Sequence, residues 1–186
     1  MFLKKNIRLS MIAAIFLIAG FAKLHAQNTA ESTNRAYDSL LAFKAKTPRP
    51  APPFELGLYT SDKKARLEDF KGKVILLTFW FPGCVPCKAE MQYFQNVVNK
   101  YDKKDLVYIG INIVPYQDDK VLPFLERTKY SFIPLRGTSE WAQKIYKVGA
   151  APANFIIDKK EKIVYSGFII DAGKEHMLEL MINSLI

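Results

Sequence analysis

The sequence predicts an α/β domain with a central mixed β-sheet and helices on both faces. Two continuous apolar runs, at residues 74–80 and 105–114, are typical of strands that are buried on both faces. Stretches with helical periodicity follow both runs, and two short strands come later in the chain, which favours a mixed sheet covered by helices. Of the 186 residues, 49% are apolar and 24% are charged, and these proportions argue against a disordered chain.

The first 26 residues are predicted to be a secretory signal peptide. A basic start containing Lys4 and Arg8 precedes 14 uncharged, mostly apolar residues, and Ala26 ends a candidate cleavage site. Because spanning a bilayer takes about 20 apolar residues, an uncleaved membrane anchor is the less favoured alternative. Cleavage would leave 160 residues, and the loss of four basic residues and no acidic one would change the net charge from +9 to +5. The remaining basic residues are scattered among acidic ones, which argues against a nucleic-acid surface.

The remaining elements are predicted in chain order. Residues 27–49 are expected to form an N-terminal helix (31–46) and a proline-rich lead-in, and residues 50–186 the main domain. Four prolines between residues 47 and 53 favour an extended, stiff lead-in. Within the domain we expect an edge strand at 54–59, a connecting element at 66–70, helices at 85–100, 118–129, 139–147 and 173–186, and short strands at 154–157 and 162–167.

The only two cysteines, Cys84 and Cys87, lie where a buried strand ends and a helix begins. A zinc site needs four ligands, and the processed chain offers two cysteines and His176, so a zinc or copper site is not favoured. A bridge across so short a loop removes little unfolded-chain entropy, which disfavours a purely structural disulfide. A redox-active pair is therefore favoured. Cys84, at the positive end of the helix dipole, is the predicted nucleophile, and the more buried Cys87 is the resolving cysteine.

The segment FWFPGCVPCKAE, residues 79–90, resembles the active-site segment of TlpA/ResA-type periplasmic thiol:disulfide oxidoreductases. Residues 51–56 and 67–73 resemble the lead-in of that family, and residues 146–158 resemble its cis-proline segment. The resemblance implies a thioredoxin fold from about residue 50 to the C-terminus. It also implies a redox-active Cys84–Cys87 disulfide with no metal and no further cofactor.

The resemblance assigns roles to three further residues. Pro152 is expected to form a cis peptide bond and, with the backbone of Ala151, to bind an extended client segment; an ordinary trans bond is the alternative. Glu90, on the same helix face as Cys87, is expected to exchange a proton with that thiol. The alternative for Glu90 is an exposed first-turn carboxylate that favours the helix dipole.

The sequence departs from the family pattern at two positions. Thr78 stands where thioredoxin has a buried Asp, and it cannot accept a proton in the same way. Gly83 stands where many members have an aromatic residue before the first cysteine. We therefore expect a wider groove beside Cys84 and a changed choice of partner.

The predicted activity is thiol:disulfide exchange with protein partners, in the direction of disulfide reduction, in the periplasm or another extracytoplasmic compartment. By the resemblance, clients include apocytochromes that await haem attachment, and a membrane thiol donor restores the dithiol. The protein is expected to be a monomer that binds no nucleic acid. The alternative is a redox-inactive or redox-gated module that holds extended peptides in the groove around Cys84 and Pro152.

Overall fold

The computed structural model describes residues 48–167 and 172–186, which contain both strands and helices. These residues belong to a compact unit that spans Ala42–Ile186. The predicted signal peptide and the predicted N-terminal helix lie outside the described residues. None of the helices described is long and apolar enough to cross a membrane.

The described part of the chain has eight strands and four α-helices. The strands are β1 (Arg49–Pro50), β2 (Glu55–Gly57), β3 (Lys64–Arg66), β4 (Val74–Trp80), β5 (Leu106–Asn112), β6 (Ile133–Arg136), β7 (Ala153–Ile157) and β8 (Lys162–Gly167). The α-helices are α1 (Val85–Val98), α2 (Val121–Thr128), α3 (Ser139–Tyr146) and α4 (Ala172–Asn183). Two 3₁₀ helices cover Leu67–Phe70 and Pro115–Lys120.

Six strands form one mixed sheet in the order β1-β8-β7-β4-β5-β6. β4, β5 and β6 run parallel, whereas β7 is antiparallel to both β4 and β8, and β1 is antiparallel to β8. The predicted mixed sheet is therefore confirmed. The expected edge strand at 54–59 is present as β2, but β2 pairs with β3 in a separate two-stranded sheet. An isolated bridge between Leu58 and Leu135 links this segment to β6.

Helices cover both faces of the main sheet, as the sequence predicts. All seven residues of β4 are buried, and their side chains alternate between the two faces. On one face, Phe79 packs against Tyr146 of α3, with ring centroids 5.2 Å apart. On the other face, Trp80 packs against Phe124 of α2, with ring centroids 5.0 Å apart. Trp80 is fully buried.

The structure contains three strands that the sequence did not predict, β1, β3 and β6, and divides one predicted helix. β6 forms the edge of the main sheet next to β5, where no element was expected. The predicted helix at 118–129 is instead a 3₁₀ helix followed directly by α2. This change of geometry matters for the site because the 3₁₀ helix carries Gln117, which contacts the loop that precedes Cys84.

Candidate active site

The two cysteines form a disulfide at the N-terminus of α1. β4 ends at Trp80, and a short turn leads to Cys84, which is the N-cap residue of the helix. The N–H of Cys84 donates to the carbonyl of Phe81 at 3.0 Å, and the N–H of Cys87 donates to Sγ of Cys84 at 3.2 Å. Pro86 lies in the first turn, where a missing N–H removes no helical hydrogen bond. The start of the helix therefore directs backbone N–H donors towards the first sulfur.

The environments of the two sulfurs differ in the way that the sequence predicts. Cys87 is 0% exposed, Cys84 is 3% exposed, and the neighbouring Val85 is 75% exposed. Both cysteines are therefore buried, Cys87 slightly more so, whereas Val85 between them is exposed to solvent. Once the pair is reduced, the positive end of the helix and the Cys87 N–H both favour a thiolate at Cys84.

The peptide bond between Ala151 and Pro152 is cis, as predicted. The next residue, Ala153, begins β7 and pairs with Phe79 of the antiparallel strand β4. The cysteine motif follows the end of β4, and Pro152 precedes the start of the antiparallel strand β7. Both therefore lie at the same end of these two central strands. Pro152 is buried and Ala151 is half-buried. Binding of a client at these two residues remains a prediction.

Glu90 is fully buried, so the exposed first-turn position that was its alternative is wrong. Its Oε2 accepts a hydrogen bond from Nδ2 of Asn154 at 2.7 Å. The same Nδ2 donates to the carbonyl of Gly167 at 3.1 Å, and Oδ1 of Asn154 accepts from the hydroxyl of Thr78 at 3.0 Å. Asn154 was not among the residues that the sequence predicted for the site. The signal available was a polar side chain at the start of an otherwise apolar strand.

Two tyrosines lie within the electrostatic field of Glu90. Burial, together with the negative charge of Glu90, raises the pKa of Tyr165 to about 12. Burial raises the pKa of Tyr108 far above its ordinary value, and the hydroxyl of Thr78 and the charge of Glu90 act on it with opposite signs. Both phenols are therefore neutral near pH 7. These two tyrosines therefore add polar groups near Glu90 but no second negative charge.

Gln117 contacts the residue that precedes Cys84. Its Oε1 accepts a hydrogen bond from the N–H of Gly83 at 2.7 Å. A Cβ atom at Gly83 would lie 3.0 Å from the same oxygen. The side chain of Gln117 therefore fills part of the space that the expected wider groove requires. This residue was also missed, because it lies 34 positions from Gly83 along the chain.

The described residues contain no cluster of three or more His, Cys, Asp or Glu side chains that could hold a metal ion. His176 is exposed on α4. The chemistry that this arrangement offers is that of a dithiol beside a buried carboxylate.

Residues 46–176 match the sequence profile of the family described as Redoxin. The chain is 33% identical over 102 residues to the thiol-disulfide oxidoreductase ResA of Bacillus thuringiensis (strain Al Hakam), covering 55% of this chain and 58% of the relative. It is 31% identical over 113 residues to ResA of Geobacillus thermodenitrificans, covering 61% of this chain and 64% of the relative. The chain therefore matches less than two thirds of the length of these relatives.

Solved structures of the same fold include a DsbF homologue from Corynebacterium diphtheriae, with a TM-score of 0.65 and 22% identity over 76% of this chain and 89% of that one. A second is the thioredoxin domain of a thiol-disulfide oxidoreductase from Bacteroides vulgatus, with a TM-score of 0.63 and 22% identity over 73% of this chain and 96% of that one. These likenesses confirm the thioredoxin fold. The sequence relatives confirm the resemblance to ResA-type proteins.

Proposed function

Because the chain belongs to the redoxin family, we propose that it is a thiol:disulfide oxidoreductase that exchanges disulfides with protein clients through Cys84 and Cys87. The observation that carries the proposal is the disulfide at the N-terminus of α1, with the Cys87 N–H donating to Sγ of Cys84. A helix start that stabilises negative charge on one sulfur, with a second sulfur within bonding distance, is what reversible exchange requires.

In the proposed reaction the reduced protein gives two electrons to the client, one proton comes from Cys87 and the second comes from solvent. The thiolate of Cys84 attacks one sulfur of the client disulfide, and the other client sulfur leaves as a thiolate that takes up a proton. Cys87, after losing its proton, attacks Sγ of Cys84 and displaces the first client sulfur as a second thiol. The products are the Cys84–Cys87 disulfide and a client dithiol.

Glu90 is the proposed acceptor for the proton of Cys87. The two residues are three positions apart on one face of α1, and both are fully buried. A carboxylate in such a position can take a thiol proton that water does not reach. Ala151 and Pro152 are the proposed client-binding residues, because their cis peptide bond lies at the same edge of the sheet as the disulfide.

We infer that the exchange runs as reduction in an extracytoplasmic compartment. The support is the resemblance to ResA-type proteins and the basic, apolar start of the sequence. An oxidising compartment does not regenerate a dithiol, so a membrane thiol donor is required after each turnover. Apocytochromes awaiting haem attachment are the client class that the family resemblance favours.

The proposal is tested by insulin reduction with the parent protein and two single variants. Cys84→Ala is expected to abolish turnover, because the nucleophile is lost. Cys87→Ala is expected to accumulate a mixed disulfide with insulin that is visible on a non-reducing gel, because resolution is lost. Val85→Ala, which changes the exposed residue beside the pair, serves as the matched control. Turnover by Cys84→Ala at the parent rate would contradict the mechanism. A folded parent that binds reduced peptides without exchanging disulfides would instead favour the peptide-binding alternative.

A further inference from the structure

We propose that Asn154 is a positioning residue that keeps the carboxylate of Glu90 ionised and directed for proton exchange with Cys87. The inference deepens the proposed function and, in its consequence for catalysis, rests on it. Asn154 lies 64 residues from Glu90 along the chain, on β7, two positions after Pro152. The proposal depends on three contacts of one amide group.

The orientation of the Asn154 amide follows from the groups around it. The carbonyl of Gly167 can only accept a hydrogen bond, so the atom that faces it at 3.1 Å must be the nitrogen. That nitrogen is also the atom that lies 2.7 Å from Oε2 of Glu90. The oxygen of the amide therefore faces Thr78, whose hydroxyl must act as the donor at 3.0 Å.

Because of this orientation, the carboxylate of Glu90 faces the N–H group of the Asn154 amide and accepts a hydrogen bond from it. An N–H bond to an ionised carboxylate is stronger than the same bond to a neutral acid, so Asn154 favours the ionised form. Burial acts in the opposite direction, since Glu90 is 0% exposed. Without Asn154, we expect Glu90 to bind its proton more tightly and to accept the proton of Cys87 less readily.

Two tyrosines and one cysteine are among the other groups near Glu90. Tyr108 on β5 and Tyr165 on β8 interact electrostatically with Glu90, and both are neutral near pH 7. Cys87 lies on the same helix face. Neither tyrosine ionises in the range where a carboxyl group titrates, so neither of them competes with the effect of substituting Asn154.

The experiment is a ¹³C NMR titration of the Glu90 carboxyl carbon in the reduced protein. Asn154→Leu is expected to move the titration midpoint upwards by about one pH unit, because the charge-assisted donor is lost. Such a shift means that the carboxylate of Glu90 binds its proton about tenfold more tightly. Thr78→Val is expected to move it in the same direction by less, because Oδ1 loses its donor and the amide is less firmly oriented. Thr78→Ser, which keeps the hydroxyl, is expected to return the parent midpoint.

Gln95→Leu is the matched control, because it removes another buried amide of α1 that bonds Asn99 and Ser131 and leaves the Asn154 amide in place. An unchanged midpoint in folded Asn154→Leu would overturn the proposal. Where that variant does not fold, an unchanged midpoint in Thr78→Val overturns it. The titration does not depend on turnover. A parent protein that fails to reduce insulin therefore refutes the proposed function, and the midpoints separately test the role of Asn154.

Discussion

Replacing Gln117 with alanine is expected to destabilise the turn that carries Cys84. The turn is held from outside by the 2.7 Å hydrogen bond between the Gly83 N–H and Oε1 of Gln117. The backbone of Gln117 stays in place in the variant, because its own N–H donates to the carbonyl of Val114 at 3.0 Å. The neighbouring Asp118 also anchors this segment, since it accepts from Nδ2 of Asn112 at 2.7 Å. The substitution therefore removes this hydrogen bond and the packing of a buried side chain, and it leaves the backbone of the segment in place.

The magnitude follows from the type of bond and its exposure. A neutral intramolecular hydrogen bond contributes about 0.5–1.5 kcal/mol, and water can replace the lost acceptor because Gly83 is exposed. We therefore expect the free energy of unfolding of the oxidised protein to fall by about 1 kcal/mol. If the whole amount is also lost from the transition state for disulfide exchange, kcat/KM for insulin falls by about fivefold.

A double-mutant cycle with Gly83→Ala isolates the contact. The Cβ added at Gly83 would lie 3.0 Å from Oε1 of Gln117, so the alanine displaces the amide and weakens the same hydrogen bond. The two substitutions should consequently be less than additive, with a coupling energy of about 0.5–1 kcal/mol. Urea unfolding followed by tryptophan fluorescence measures each corner of the cycle, and Gln143→Ala on the exposed surface of α3 is the control. Additive effects, or a loss in Gln117→Ala no larger than in the control, would refute the reasoning.

Two further substitutions test other parts of the fold. Burial and the charge of Glu90 raise the pKa of Tyr165 to about 12, above the value of about 10 in an unfolded chain. The contribution of this neutral phenol to the free energy of unfolding is therefore fully present below pH 10 and is lost between pH 10 and 12. Tyr165→Phe should lose less stability than the parent between pH 9 and 11 in urea unfolding, and equal losses would contradict this assignment. Gly110→Ala would place a Cβ 2.6 Å from the ring of Phe132 and should cost about 1–3 kcal/mol in the same measurement. Gly149→Ala, where the added Cβ meets nothing within 4 Å, is its control, and comparable losses would count against the packing argument.

The sequence predicts the central strands well because both of their faces are buried. β4 and β5 appear as continuous apolar runs, and the side chains that make them apolar are the ones that fill the core. β6 has four residues and contains Pro134, which lacks the N–H that an inner strand would use. This proline is tolerated because β6 is at the edge of the main sheet. The carbonyl of Pro134 still accepts a hydrogen bond from the N–H of Tyr59. A pattern of local periodicity does not reveal such a strand.

The candidate site also contains residues that are close together in the sequence and residues that only the fold brings to it. Cys84, Cys87 and Glu90 lie within seven positions of one another on one helix start, so spacing alone brings them together. Asn154 and Gln117 reach the site through contacts across 64 and 34 positions. Their partners depend on strand register and on a 3₁₀ helix that the sequence does not distinguish from an α-helix. The residues that bear the chemistry were predictable, whereas those that hold them in place were not.

The two missed residues hold α1 on either side of the disulfide. Gln117 holds Gly83, just before Cys84, and Asn154 holds Glu90, three residues after Cys87. Both flanks of the cysteine pair are thus attached to segments that are distant in the sequence. Loss of the Gln117 contact should therefore lower stability and, to the same extent at most, the rate of disulfide exchange, whereas loss of the Asn154 contact should change the proton exchange of Glu90.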